Sequence, residues 1–474
     1  MLLPRCCSWT LLAAAGFALL AADPQARFAG TARAQDKNDL PRRPDGYSKS
    51  LGYKTSPIPP EKLKDAQDAF KGLAKYFADY VAHPRVYSAP QEFKSETAPA
   101  VPQPESLETL MTQLREFIWV PQPDPKVAVQ PRGDNAVYIA ELAAELDAAL
   151  LKVITDNTTP VVRLNATRML AVACRSGAEV HYKTVTDLIT DPNKPLEIKY
   201  YAYQAAGNLL AAYDFADYRS RKHSILDRAK LGKLIRVLNE AVVAPVSLST
   251  GGAKDGKGTA PTPEQLAVHG VVRREAVRAL AKVRFASVED ENKVVLYPVH
   301  TLARIATSDP ALKPAPGTIE IAEAVIGICG MSPLSPPGPA KGYNADAVAE
   351  AVGMGLKAFA GPRAGNPSDK SIAWTVYGAR LGEALRTWRG LFDPVFDPAN
   401  INKANLALTP KSVEDVATAA LTKIVAPIEK RDPSARVDLG PLTAVVDELK
   451  NSKKRSAALF STDVPKTTLD TLAK

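Results

Sequence analysis

Two near-copies of one ten-residue phrase constrain this chain more than any other feature. They are Val161-Val162-Arg163-Leu164-Asn165-Ala166-Thr167-Arg168-Met169-Leu170 and Val271-Val272-Arg273-Arg274-Glu275-Ala276-Val277-Arg278-Ala279-Leu280. Both read Val-Val-Arg-x-x-Ala-x-Arg-x-Leu, and a looser copy lies between them at Ile198-Lys199-Tyr200-Tyr201-Ala202. Residues 163, 199 and 273 then stand 36 and 74 positions apart, close to one and two periods of a helix-pair repeat. Within each copy, Ala166, Leu170 and Ala173, or Ala276, Leu280 and Val283, recur at i, i+4 and i+7. That spacing places them on one helical face, where a small residue lets a neighbouring helix approach closely.

The phrases carry their own punctuation. Ile154-Thr155-Asp156 and Ile189-Thr190-Asp191 end apolar runs 35 residues apart, and Pro160 and Pro195 follow them as first-turn residues of new helices. Asp309-Pro310 closes a third run, while the second full phrase is led in by Pro263-Glu264-Gln265. An Asp-containing turn, a proline, then Val-Arg-x-x-Ala-x-x-x-Leu resembles the HEAT and armadillo-like α-solenoid family over residues 134–308. The resemblance implies an all-α fold, a stacked helix-pair solenoid, here with irregular helical caps. It also implies that Arg163 and Arg273 tie one helix pair to the next, partly buried against an acidic side chain or helix-end carbonyls.

In chain order, residues 1–34 read as an export signal, with Arg5, an apolar run from Trp9 to Ala22, and Ala32-Arg33-Ala34 as the cleavage site. Residues 35–59 read as a flexible N-terminal arm because of Pro41, Pro44, Pro57, Pro59 and their charged neighbours. A helical cap with proline-rich loops is expected over 60–133, with helices at 60–82 and 105–119. HEAT-like repeats follow over 134–331, a proline-rich joint over 332–342, a C-terminal helical region over 343–455 and a tail over 456–474. In the last regions the periodicity predicts a partner helix over 293–308 carrying Tyr297 and His300, then helices at 318–329, 344–359, 371–389, 411–428 and 437–450.

Of four cysteines, signal removal leaves Cys174 and Cys329, each in an apolar stretch and in separate repeats, so both are expected as free, small apolar side chains. The net charge of +9 falls to +7, with 57 basic and 50 acidic residues, once Arg5, Arg27, Arg33 and Asp23 depart. This balance does not suit a dedicated nucleic-acid binder. Charge is concentrated instead in Arg219, Arg221, Lys222, Arg228, Lys230, Lys233 and Arg236, seven basic residues with Asp227 as the one acid among them. Such a run reads either as a solvated face beside a loop or as a docking strip for an acidic protein, polysaccharide or anionic surface. Leu231, Leu234, Ile235 and Leu238 face inward on this helix, with Lys233 and Arg236 turned away. Tyr213, Phe215 and Tyr218 precede the cluster without interleaving it, which disfavours nucleic acid.

No local motif supplies chemistry. Gly251 to Thr259 approaches a phosphate-binding loop, but Gly258 stands where Ser or Thr is needed, and Pro261 and Pro263 follow where the helix must begin. His83, His181, His223, His269 and His300 are scattered without metal-ligand spacing, and no Gly-x-Ser-x-Gly is present. Arg132-Gly133-Asp134 reads as a turn, and Asn157 and Asn165 open glycosylation-like triplets, the second inside a helix. No catalytic residue, metal or cofactor is assigned. The chain is therefore expected to be an exported, non-enzymatic binding scaffold, periplasmic or secreted, with a protein partner and no transmembrane segment after signal removal. The second class carried forward is an enzyme whose site is assembled from residues distant in sequence.

Overall fold

The computed structural model describes residues 40–55, 58–87, 105–118, 136–212, 228–244, 261–290, 292–332, 334–335, 338–339, 345–391, 410–430 and 435–451. The export signal, the 219–222 end of the basic segment with its aromatic neighbours, Arg132-Gly133-Asp134, the glycine-rich stretch 251–259 and the tail 456–474 lie outside them. Among the described residues the fold is helical, with strand only as two antiparallel two-residue hairpins and one isolated bridge.

At the N-terminal end, α1 (Gly46–Thr55) lies on α2 (Leu63–Ala82), followed by the short α3 (Pro84–Tyr87) and by α4 (Leu107–Ile118). Phe70, Leu73, Ala74 and Phe77 form the buried stripe of α2 that their spacing predicts. Helix α1 occupies part of the stretch read as a flexible arm. Its prolines were the misleading signal and its aromatics the decisive one: Tyr47 packs edge-on to Phe117 at 4.8 Å, and Tyr53 to Phe70 at 6.1 Å. Arg43 adds an ion pair to Glu105 at 3.0 Å. Gly46 permits the approach, since a Cβ there would lie 2.9 Å from Ala69.

Next come α5 (Ala136–Asp156), α6 (Pro160–Ala173), α7 (His181–Thr190), α8 (Leu196–Ala212), α9 (Arg228–Val243) and α10 (Pro263–Leu280). They are followed by α11 (Pro298–Ala306), α12 (Thr318–Cys329), α13 (Ala345–Gly365) and α14 (Trp374–Gly390). Helices α15 (Lys411–Ala420) and α16 (Ala426–Glu429), joined by a π turn at Leu421–Val425, and α17 (Gly440–Asn451) close the chain. The punctuation acts as the residues dictate: α5 ends at Asp156, α6 opens on Pro160, and α10 opens on Pro263 under a reciprocal Thr262–Gln265 capping box. The i, i+4, i+7 faces of both phrases are buried, Ala166, Leu170, Ala173, Ala276, Leu280 and Val283 all lying at 2% exposure or less.

Contacts run in two rows. α6 packs on α8, α8 on α10, α10 on α12 and α12 on α14; α5 packs on α7, α7 on α9, α9 on α11 and α11 on α13. Between the rows, α5 meets α6, α7 meets α8, α9 meets α10, and α11 meets α12. Small residues set the spacing, as at Gly327 of α12, where a Cβ would lie 2.6 Å from that of Ala281. Helix α13 packs against both α11 and α12, so contact continues across the proline-rich joint, whose described part pairs β3 (Leu334–Ser335) with β4 (Gly338–Pro339).

The helix expected from 293 begins only at Pro298. Before it, β1 (Val288–Glu289) and β2 (Val295–Leu296) pair around a turn in which Asp290 accepts the N–H groups of Asn292 and Val294, both at 2.9 Å. Lys293 takes the left-handed φ of 59° that the turn requires. Cys174 and Cys329 are buried and free, and burial raises the pKa of both thiols. No described helix is long and apolar enough to cross a membrane.

Candidate functional site

In the described part of the basic segment, two of the cations are paired with carboxylates from other elements. Arg219, Arg221 and Lys222 fall outside the described residues, and of Arg228 only its place at the start of α9 is described. Lys230 pairs with Glu179, and Arg236 pairs with Asp290 of the β1–β2 turn, whose side chain is 1% exposed. Lys233 is exposed, while Leu231, Leu234, Ile235 and Leu238 are buried as their spacing requires. Density of charge along the chain is thus not density in space, because Glu179 and Asp290 arrive from other elements.

The two phrase arginines differ. Arg273 is 2% exposed and donates from Nε and Nη2 to the two carboxylate oxygens of Glu320 at 2.7 and 3.1 Å, and from Nη1 to the carbonyl of Pro314 at 2.7 Å. Glu320 also accepts the Gly317 N–H at 2.7 Å and so caps α12. Arg163 is half-buried, and its Nε has no hydrogen-bond partner among the described residues.

A ladder of arginine, glutamate and tyrosine crosses the α4–α6–α8–α10–α12–α14 row. Arg168 of α6 pairs with Glu108 of α4 at 2.8 Å and lies 5.6 Å over the ring of Tyr201 on α8. Tyr200, beside Tyr201, donates to Glu275 of α10 at 3.3 Å, and Glu275 pairs with Arg278. Arg278 donates to Glu323 of α12 at 2.8 Å and to the hydroxyl of Tyr377 on α14 at 2.9 Å, and that hydroxyl donates to Glu323 at 3.2 Å. Arg380 of α14 grips both Glu323 oxygens at 2.7 and 2.6 Å.

Glu323 is buried, which raises its pKa, but Arg380 and Arg278 outweigh burial and hold it below the usual range. Burial, reinforced by Glu275, pushes Tyr200 up to about 12, so its phenol stays a donor. None of these residues was assigned a role from sequence, apart from their membership of the two phrases. The available signal was Glu320 and Glu323 at i, i+3 on α12, whose face the phrase of α10 meets.

A second polar group is buried inside the fold. Asp147 of α5 accepts from Thr184 at 2.6 Å and lies 2.8 Å from Nδ1 of His181, whose side chain has no exposed surface and whose Nε2 lacks a partner among the described residues. Carboxylate and imidazole are disposed as in a base-orienting pair. Yet Cys174 is protonated, its thiol raised by burial and by Asp147, the reverse of an activated nucleophile. Asn165 of the second glycosylation-like triplet is buried on α6. Among the described residues no three His, Cys, Asp or Glu side chains are grouped to hold a metal ion. No family model, curated protein or solved structure matches the chain.

Proposed function

We propose that this chain is an exported, non-enzymatic binding scaffold that stacks helix pairs in the manner of HEAT and armadillo-like solenoids and holds a polypeptide along its second-helix face. In this reading α5, α7, α9, α11 and α13 are first helices and α6, α8, α10, α12 and α14 are second helices. The observation that carries it is the unbroken order of contacts along each row, with the two phrases at α6 and α10. Stacks of this kind bury their core between neighbouring units and leave a long polar face free for a partner. On the second-helix row the ladder turns its arginines, Arg168, Arg278 and Arg380, partly outward over the buried Glu275 and Glu323.

The test is chemical crosslinking of the purified chain in the exported fraction, with mapping of the linked residues. Links to one dominant partner concentrated on α6, α8, α10, α12 and α14 are expected. Links confined to α5, α7 and α9 would overturn the reading, as would hydrolase activity lost on substitution of Asp147 or His181 in a still-folded chain.

A further inference from the structure

We infer that Lys282 and Arg284, backed by Arg278 and Arg380, form the anchoring point for an extended acidic segment of a polypeptide partner, reading carboxylates at alternate positions. This rests on the scaffold reading above and gives its partner a chemistry.

Three observations converge on this corner. The carboxylate closest to it, Glu323, is already used: Arg380 takes both oxygens, and Arg278 and Tyr377 share one of them. Lys282 and Arg284 have no side-chain hydrogen bond or ion pair among the described residues, and both are exposed. Glu323 and Glu275 therefore stand against four cations, and the corner keeps an excess of positive charge. The second observation is electrostatic crowding. Burial of part of its stem, then Arg380 and Arg284, push the Lys282 ammonium down from its ordinary pKa, with Glu323 the one carboxylate acting against them. An anion placed here relieves that repulsion.

The third observation selects the form of the anion. Exposure alternates along the loop leaving α10: Lys282 out, Val283 buried, Arg284 out, Phe285 buried. Phe285 is bridged in parallel to Ser332, and Ser332 donates to the carbonyl of Arg284 at 2.8 Å, so this segment is pinned. Lys282 closes the turn that ends α10, its N–H donating to the Ala279 carbonyl at 3.0 Å, and Arg284 follows in the stretch held to Ser332, so two cations face out on either side of the buried Val283 and offer two neighbouring carboxylates of one chain a partner each. Arg284 also lies against Gly330 at the C-terminal end of α12, where a cation is favoured by the helix dipole; that role alone predicts a stability effect and no peptide binding.

The experiment titrates the full chain with a fluorescein-labelled hexapeptide carrying glutamate at alternate positions and serine between, read by anisotropy at low salt. Binding should weaken as salt rises and fall about tenfold in Lys282→Ser/Arg284→Ser, with the helical circular dichroism unchanged. Lys282→Glu/Arg284→Glu should lose this peptide and gain its lysine counterpart. Unchanged affinity in the serine variant, or a folded reversed variant that fails to switch, would overturn the inference. Displacement of the peptide by inorganic phosphate beyond that by chloride at equal ionic strength would overturn it in favour of a phosphate site. If crosslinking finds the partner on the second-helix face equally with the serine variant, this anchor is wrong and the scaffold stands. If wild-type crosslinks avoid that face, the scaffold falls, and the titration still decides what the corner binds.

Discussion

The two copies of the phrase fold alike and are wired differently. Helices α6 and α10 bury the same alanine and leucine positions, yet Arg273 is locked to Glu320 and Pro314 while Arg163 is half-buried with an unpartnered Nε. The later arginine of each copy diverges too: Arg168 reaches back to the exposed Glu108 and over Tyr201, whereas Arg278 reaches forward to the buried Glu323. The phrase supplies the cation, and the neighbouring helix decides what it becomes. Helix α12 presents Glu320 and Glu323 to α10, while α8 presents the ring of Tyr201 to α6.

The largest effect that separates the copies is removal of the third-position arginine. Arg273→Ala leaves Glu320 buried without its guanidinium and should cost about 3–5 kcal/mol, as breaking a buried ion pair does. Arg163→Ala should cost roughly 1 kcal/mol or less, since among the described residues its Nε has no partner to strand. Urea unfolding monitored by circular dichroism measures both, and equal losses would erase the distinction.

Acid should open the second copy's surroundings before the first. Glu323 has a depressed pKa in the fold, so its contribution is present above the ordinary carboxylate value and is lost as pH falls through the folded one. On the adjacent α11, burial lowers the pKa of His300 to about 3. The neutral imidazole is native, so stability is complete above about 6.5 and declines from there toward 3, by on the order of 5 kcal/mol in total. Hydrogen exchange between pH 7 and 4 should therefore show α10, α11 and α12 losing protection ahead of α6 and α8. His300→Gln should flatten the upper part of that dependence; uniform loss across both copies would count against it.

How much of this was readable in the chain follows from the range of each interaction. Helices set by local periodicity and caps were legible, as with Thr318–Cys329 or the Pro160 start of α6. The burial of Arg273 was legible through the family resemblance, but its partner lies 47 residues away, and helix register across such a gap is not written locally. The β1–β2 hairpin was legible and overlooked: in the sequence Val288, Val294 and Val295 flank the polar residues Asp290 and Asn292, a signal overridden by the expected repeat. The pairing of Lys230 and Arg236 was illegible for a different reason, since counting charges along a helix takes no account of carboxylates delivered by other elements.

Those two pairings yield the smallest and sharpest prediction. Read as a solvated strip, Lys230, Lys233 and Arg236 should tolerate serine equally, each within about half a kcal/mol. The fold divides them. Arg236 covers Asp290, whose other oxygen already accepts two turn N–H groups, so Arg236→Ser should cost about 1–3 kcal/mol and loosen the β1–β2 turn. Lys230→Ser breaks a half-exposed pair with Glu179 and should cost less than about 1 kcal/mol, diminishing further in salt. Lys233→Ser, on the exposed side of α9, should be indistinguishable from wild type. Thermal unfolding of the three single variants at low and high salt resolves the ranking. Three equal, salt-insensitive effects would return the segment to an undifferentiated surface, whereas the graded series identifies Arg236 as a brace between α9 and the hairpin.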